Sequence, residues 1–346
     1  MKAAVFHGIE DIRIEEREIP KIDDDGILIK VSYCAICGTD VRIYFNGQDN
    51  VIPPRITGHE ISGVIDSIGK NVQGYKVGDK VVVVPQIACG KCFECLRGNS
   101  NMCNSADVIG YGLDGGFAEY MAVPGKAVEH GNVIKLEKDQ DLKFSCIAEP
   151  LSCVINGHKN LNIKLGDDVL IVGAGPIGTM HALLSKAQGA SRVILADIEE
   201  NRLNLAHELG TDFVIDTSKT DLYEEVNEIT KGQGVDVGIA ACSVPSVQSQ
   251  VLSVIKKGGK ALFFAGLPKG KSINPIDTNI IHYKEISLYG SFGSTITQHI
   301  TALKLINSKV INADRLITTI LPIDKLVDGI KMVRRGEGLK IAIKMS

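Results

Sequence analysis

The sequence predicts an α/β protein of two domains, one β-rich and one built around a doubly wound parallel sheet, and three observations lead there. A chain of 346 residues exceeds the size at which one hydrophobic core keeps growing, so two domains are expected. Short β-branched runs bounded by turn residues characterise the chain as far as Pro150. Beyond Gly157 strands and helices alternate, the pattern of βαβ units.

In the first part, residues 26–31, 61–68 and 81–84 read as strands, the last following the turn pair Gly78-Asp79. In the second, Asp-Val-Leu-Ile-Val at 168–172 reads as a strand. A glycine turn follows, then a helix through Lys186 and a strand over 192–196. A helix over 199–209, a strand over 213–215 and apolar runs at 235–241 and 261–265 continue the alternation. After Gly290 helical periodicity returns, and 316–321 and 340–344 read as strands that composition does not assign to either domain. No internal repeat interrupts this order.

Composition narrows the function. Hydrophobic content of 44%, charged content of 23% and a net charge of -3 describe an ordinary globular protein without the positive excess that nucleic acid requires. No apolar run reaches the ~20 residues that span a bilayer, so no membrane partner is expected. The start runs into the charged stretch 11–18 rather than a signal segment, and a cytoplasmic location is expected. Nine cysteines, an odd number and tightly clustered, suit thiols held for metal better than disulfides.

Gly173-Ala174-Gly175-Pro176-Ile177-Gly178 closes an expected strand and opens an expected helix. These glycines allow a tight turn and close backbone approach to a pyrophosphate, whose charge the helix N-terminus favours. Asp197 ends the second strand, where a carboxylate accepts hydrogen bonds from the adenosine ribose and repels a 2′-phosphate. The combination points to NAD rather than NADP; the alternative is a plain glycine turn with Asp197 in solvent. Arg202 lies either over the adenine or in solvent.

Cys89, Cys92, Cys95 and Cys103 place four thiols in one short lobe. Four thiolates close a tetrahedral zinc shell and leave no position for substrate, so this zinc is expected to be structural. An iron–sulfur cluster and unligated thiols are the alternatives. Elsewhere Cys37-Gly-Thr39-Asp40, Gly58-His59-Glu60 and Glu149-Pro150 supply a thiol, an imidazole and carboxylates, a mixed set able to hold zinc with a position open for an oxygen ligand. Taken alone, each piece is weak, and a single histidine before a glutamate is more often a satisfied surface or core pair.

Together these motifs, with Gly63, Gly69, Gly78-Asp79 and Gly115-Gly-Phe-Ala-Glu-Tyr120, resemble the zinc-containing medium-chain alcohol and polyol dehydrogenases over essentially the whole chain. The resemblance implies a GroES-like β-barrel catalytic domain, residues 1–152 with 292–346, and a Rossmann NAD-binding domain, residues 153–291. It implies an active site in the cleft between them and a homo-oligomer, dimer or tetramer. It implies two zinc ions: a catalytic one held by Cys37 and His59 with Glu149 as third ligand and Glu60 able to enter the shell, and the structural one. Asp40 is then an acceptor for the His59 ring, and Thr39 the relay hydroxyl that takes the alcohol proton. Many relatives carry a histidine three residues beyond that hydroxyl, where this chain has Arg42, which cannot act as a base near neutrality. Adjacent residues on a regular strand face opposite sides, so His59 and Glu60 reach one ion only where the backbone is irregular.

The expected reaction is hydride transfer from a secondary alcohol, a polyol or sugar alcohol, to NAD. L-Threonine 3-dehydrogenase and a sugar-alcohol phosphate dehydrogenase are the alternatives within that chemistry. A cofactor-binding protein without chemistry, and a thiol redox sensor using Cys34, Cys37, Cys146, Cys153 or Cys242, are the readings outside it. Cys34, Cys146, Cys153 and Cys242 read instead as small buried apolar residues.

Overall fold

The computed structural model describes residues 1–345, which separate into two units, residues 1–152 with 294–345 and residues 153–293. The first unit is organised by a seven-stranded sheet. Its order is Val133–Lys135, Lys80–Val83, Glu60–Ile68, Ile27–Ala35, Lys340–Lys344 and Ile317–Pro322, with Tyr120–Val123 also paired to Ile27–Ala35. The strand Ile27–Ala35 takes three partners because its β-branched and aliphatic residues are buried along most of its length. Ile29, Val31, Ile61, Ile65, Val81, Phe117 and Ile341 form part of one core.

The unassigned C-terminal strands join this first sheet. Ile341, Ala342 and Ile343 are fully buried, and removing such side chains from water is worth on the order of 2 kcal/mol each for the larger ones. Ala342 pairs with Ala35, and Ala35 pairs on its other side with Glu60. A segment from the end of the chain thus lies one strand away from a candidate metal ligand.

The second unit holds a six-stranded sheet in the order Phe213–Asp216, Arg192–Asp197, Asp168–Val172, Val235–Ala240, Ile255–Phe263 and Ser287–Gly290. Every pairing is parallel. In order along the chain this is 3-2-1-4-5-6, and the strand order reverses beside Asp168–Val172, where such sheets bind a dinucleotide at their carboxyl ends. Two separate apolar clusters include residues from this sheet and its helices.

The expected strands and helices all form, within two to four residues of the expected bounds in most cases. Several helices were not foreseen, among them Leu222–Thr230, Pro245–Ser253, Thr278–Lys284 and Leu326–Arg334; two others, Gly38–Asn46 and Ala148–His158, carry candidate catalytic residues. Among the described residues, no helix is long and apolar enough to cross a membrane. Cys34 and Cys146 are buried as expected, but Cys153 and Cys242 are only half-buried.

Candidate functional site

Cys37, His59 and Glu60 each bring one ligand atom within 4.8 Å of the others. Cys37 precedes the helix Gly38–Asn46, and Asp40 Oδ2 accepts a hydrogen bond from the Cys37 backbone N–H at 2.8 Å, closing the first turn. His59 lies just before the strand Glu60–Ile68, after Gly58 at φ +92°. A side chain at position 58 would meet Cys34 Sγ and the Phe117 ring at 2.8 Å, so only glycine makes this bend. The bend is the irregularity that lets two neighbouring residues, His59 and Glu60, face one point.

Both are buried, His59 at 5% and Glu60 at 0% exposure. Glu60 Oε1 accepts from Lys340 Nζ at 2.6 Å, and Lys340 also donates to the Ile36 carbonyl at 2.9 Å. Glu60 Oε2 and His59 Nδ1 are buried without a hydrogen-bond partner. Asp40 Oδ1 stands 3.8 Å from His59 Nδ1, so Asp40 is both the cap of its helix and an electrostatic neighbour of the ring. Burial pushes the Glu60 carboxyl up to about 7, against the pull of Lys340 and with the push of Glu149. Burial also opposes charge on His59, yet Tyr111, Asp40 and Cys37 outweigh it and raise the ring well above its ordinary value. The pocket therefore calls for positive charge.

Glu149, in the first turn of Ala148–His158, is outside the close trio. Its charge is nevertheless felt by Glu60, Lys340, Tyr111 and His299. Thr39 is half-buried in the first turn beyond Cys37. Arg42 instead donates to Gln48 Oε1 at 2.7 Å on the exposed side. Three residues missed in the sequence belong here: Lys340, Tyr111 and His299. The Tyr111 ring meets the His59 ring edge-on at 5.5 Å, and burial, more than any neighbouring charge, raises its phenol. None of the three carries a motif signal; sheet register and packing bring them in.

In the cysteine lobe, Cys92 Sγ lies 3.5 Å from Cys95 Sγ and 3.9 Å from Cys103 Sγ, and Cys89 Sγ lies 4.0 Å from Cys95 Sγ. Thiolates at ~2.3 Å around one ion form a tetrahedron with edges of about 3.8 Å; these three separations are close to that, and all four sulfurs lie within 4.8 Å of one another. Backbone N–H groups of Lys91 and Cys92 bring the Cys89 thiol down to about 6, so Lys91 acts chiefly through its main chain. Gln86 Nε2 donates to the Asn101 carbonyl at 2.9 Å and anchors the far side of the lobe.

The glycine turn of the second unit links Asp168–Val172 to the helix Pro176–Ala187, with Gly173 at φ +112° and Gly175 as N-cap. At Gly178 a side-chain carbon would sit 1.7 Å from the Gly173 carbonyl. Asp197 Oδ2 accepts from the Ala174 N–H at 2.5 Å, and Oδ1 accepts from Ile198 and Glu199 N–H at 2.7 and 3.0 Å. The carboxylate is thus held beside the turn. Arg202 is half-buried, with Nε lacking a hydrogen-bond partner.

Comparison with known proteins agrees with this geometry. Residues 23–135 match the alcohol dehydrogenase GroES-like domain, and residues 176–308 match the zinc-binding dehydrogenase domain. The L-threonine 3-dehydrogenase of Pyrococcus furiosus is 34% identical, covering 100% of this chain and 97% of that protein. The chain belongs to the zinc-containing medium-chain dehydrogenase family. The sorbitol dehydrogenase of Bombyx mori is likewise 34% identical to this dehydrogenase, over 99% of the chain and 97% of the relative. A zinc-binding dehydrogenase of Sinorhizobium meliloti bound to NADP superposes with a TM-score of 0.91 at 30% identity, covering 99% of each chain.

The residues present fit the groups the family carries. Four thiols at tetrahedral spacing suit a closed structural zinc. A thiol, an imidazole and a carboxylate with ligand atoms within 4.8 Å of one another, and with Glu60 Oε2 buried without a hydrogen-bond partner, suit a second divalent cation. The glycine turn, helix N-terminus and acid of the second unit suit a dinucleotide.

Proposed function

We propose that this dehydrogenase oxidises a neutral secondary alcohol, a polyol or sugar alcohol, with NAD as hydride acceptor. The observation that carries the reading is the convergence of half-buried Cys37 with buried His59 and Glu60, the Oε2 of Glu60 being buried without a hydrogen-bond partner. A bound zinc supplies acidification of the alcohol there, and the nicotinamide ring supplies the hydride acceptor. Cys37 and His59 are the constant ligands, and Glu60 and Glu149 share the remaining carboxylate role. Thr39 would relay the alcohol proton, accepting it while passing its own proton on through the cofactor ribose towards solvent. Tyr111 is kept protonated by burial and donates a hydrogen bond to a second hydroxyl of the substrate.

The charge balance of the site favours a neutral substrate over an amino acid. The cation felt by Glu60 and Asp40 besides His59 is Lys340, and it is committed to Glu60 Oε1 and the Ile36 carbonyl. A substrate carboxylate therefore finds Asp40, Glu60 and Glu149 and, among the described residues, no uncommitted protein cation, so its pairing would fall to the bound zinc alone. The names of the relatives favour the second reading, L-threonine oxidation. The cofactor assignment rests on Asp197, which repels a 2′-phosphate, although a structural relative binds NADP. A homo-oligomer is supported by the open edge strand Ser287–Gly290, with Leu288, Tyr283 and Phe292 exposed on or near it.

The test is nucleotide reduction with xylitol, sorbitol, butanediol, a sugar-alcohol phosphate and L-threonine, using NAD and NADP in parallel, before and after zinc removal. Turnover of a neutral polyol with NAD that disappears on chelation and returns with zinc is the expected outcome. Turnover of L-threonine alone sinks the polyol assignment, and preference for NADP sinks the role given to Asp197.

A further inference from the structure

His299 is a histidine at 1% exposure at the end of the first turn of the helix Ile296–Asn307. Its Nδ1 lies 3.1 Å from the Thr295 carbonyl, which can only accept, so Nδ1 carries the proton. Burial keeps the ring neutral, against the pull of Glu149. Nε2 is then a bare acceptor, 3.3 Å from Ser152 Oγ. Ser152 Oγ lies 2.7 Å from Ser294 Oγ and donates to the Glu149 carbonyl at 2.6 Å. The Ser152 proton thus has two acceptors, the Glu149 carbonyl and His299 Nε2, while Ser294 donates to Ser152.

The position of this network gives it meaning. Glu149, whose carbonyl it grips, contributes its carboxylate from the same helical turn. Ser152 and Ser294 are the residues at which the chain leaves and rejoins the first unit. Apolar side chains of similar volume pack a core without the desolvation cost of an imidazole and two hydroxyls. Buried polar groups joined in this way hold one geometry, and the geometry they hold is that of the Glu149 turn.

We propose that His299, through Ser152 and Ser294, is a positioning residue that sets the Glu149 carboxylate for the metal site. The inference rests on the reading of Glu149 as a carboxylate of that site, so Glu149→Gln is the reference variant. The experiment uses the full chain with cobalt(II) in place of zinc. It reads cobalt affinity of the mixed-ligand site by chelator competition, its visible absorption, and kcat separately from KM. Ser152→Ala and His299→Leu are expected to weaken cobalt at that site and lower kcat by roughly 10–100-fold, with metal in the four-cysteine lobe retained. Ser152→Thr, which keeps the hydroxyl, is expected to restore most of the loss. Adding Ser152→Ala to Glu149→Gln is expected to cost nothing further, because both act through one carboxylate.

Unchanged affinity and turnover in folded Ser152→Ala, or losses that multiply in the double variant, overturn the proposal. Should His299→Leu fail to fold, Ser152→Ala, which removes a single oxygen, carries the test. If Glu149→Gln itself leaves affinity and turnover unchanged, the role of Glu149 falls, and the positioning inference with it. If Glu149→Gln is impaired and Ser152→Ala is not, only the positioning inference falls.

Discussion

Lys340 is an ammonium at 3% exposure whose nearest anion, Glu60, is fully buried. Two charges taken out of water are held by mutual attraction and by the Ile36 carbonyl, so removing one leaves the other stranded. Lys340→Met is expected to destabilise the chain by about 3–5 kcal/mol, and the double variant with Glu60→Leu to recover part of that loss, both read from urea unfolding. Equal stability of Lys340→Met and the parent protein would mean that the pair is not the buried ion pair described. Cys37 and His59 were legible as candidates because their neighbours form recognisable short motifs. Lys340 was not, because in Lys-Ile-Ala-Ile-Lys it reads as one polar end of a strand, no different from Lys344, which is exposed. Tyr111 and His299 were silent for the same reason: a tyrosine in a turn or a histidine on a helix acquires meaning only from what packs against it.

Helices and strands carry the next level of argument. His158 ends the helix that begins at Ala148, and His181 lies in the helix that follows the glycine turn. His158 Nε2 lies 2.9 Å from His181 Nδ1, and His158 Nδ1 lies 2.7 Å from Gln188 Oε1. Burial brings His158 down to about 4 and drives His181 well below its ordinary 6.5. The folded rings therefore stay neutral at pH values where the unfolded rings bind protons. Stability contributed by this pair is present above about pH 6.5 and falls as pH drops towards 4, by up to about 1.4 kcal/mol per pH unit for each ring. Urea midpoints at about pH 7 and about pH 5 should show this decline in the parent protein and a smaller one in His181→Leu. An equal decline in both would assign the acid sensitivity elsewhere. The strands and helices from Asp168 to Leu209 were visible in periodicity, while the strands Lys2–Gly8 and Asp11–Glu16 and the helices Leu222–Thr230 and Leu326–Arg334 were not read from it; the helix Gly38–Asn46 could have been found from the Asp40 carboxylate three residues beyond Cys37. The helix Ala148–His158 was hidden by Pro150, which stands in its first turn, where proline is tolerated.

At the scale of the whole molecule, the candidate metal residues belong to one unit, and the glycine turn with Asp197 belongs to the other. Metal chelation is therefore expected to abolish turnover while NADH binding, followed by its fluorescence, stays within a few-fold of the parent value. Loss of NADH binding in parallel with zinc would show that the dinucleotide site depends on the metal. The features that the sequence determined by itself are local ones: four cysteines within one lobe, a glycine turn between strand and helix with an acid one strand later, and the alternation that makes a parallel sheet. Each is legible because its chemistry is complete within a short stretch of chain. What only the tertiary structure decided is which distant residues share a buried space. Lys340 meets Glu60 across 280 positions and Ser152 meets His299 across 147. Those meetings depend on strand register and on the burial of whole segments, and the periodicity of one segment does not specify its register against another.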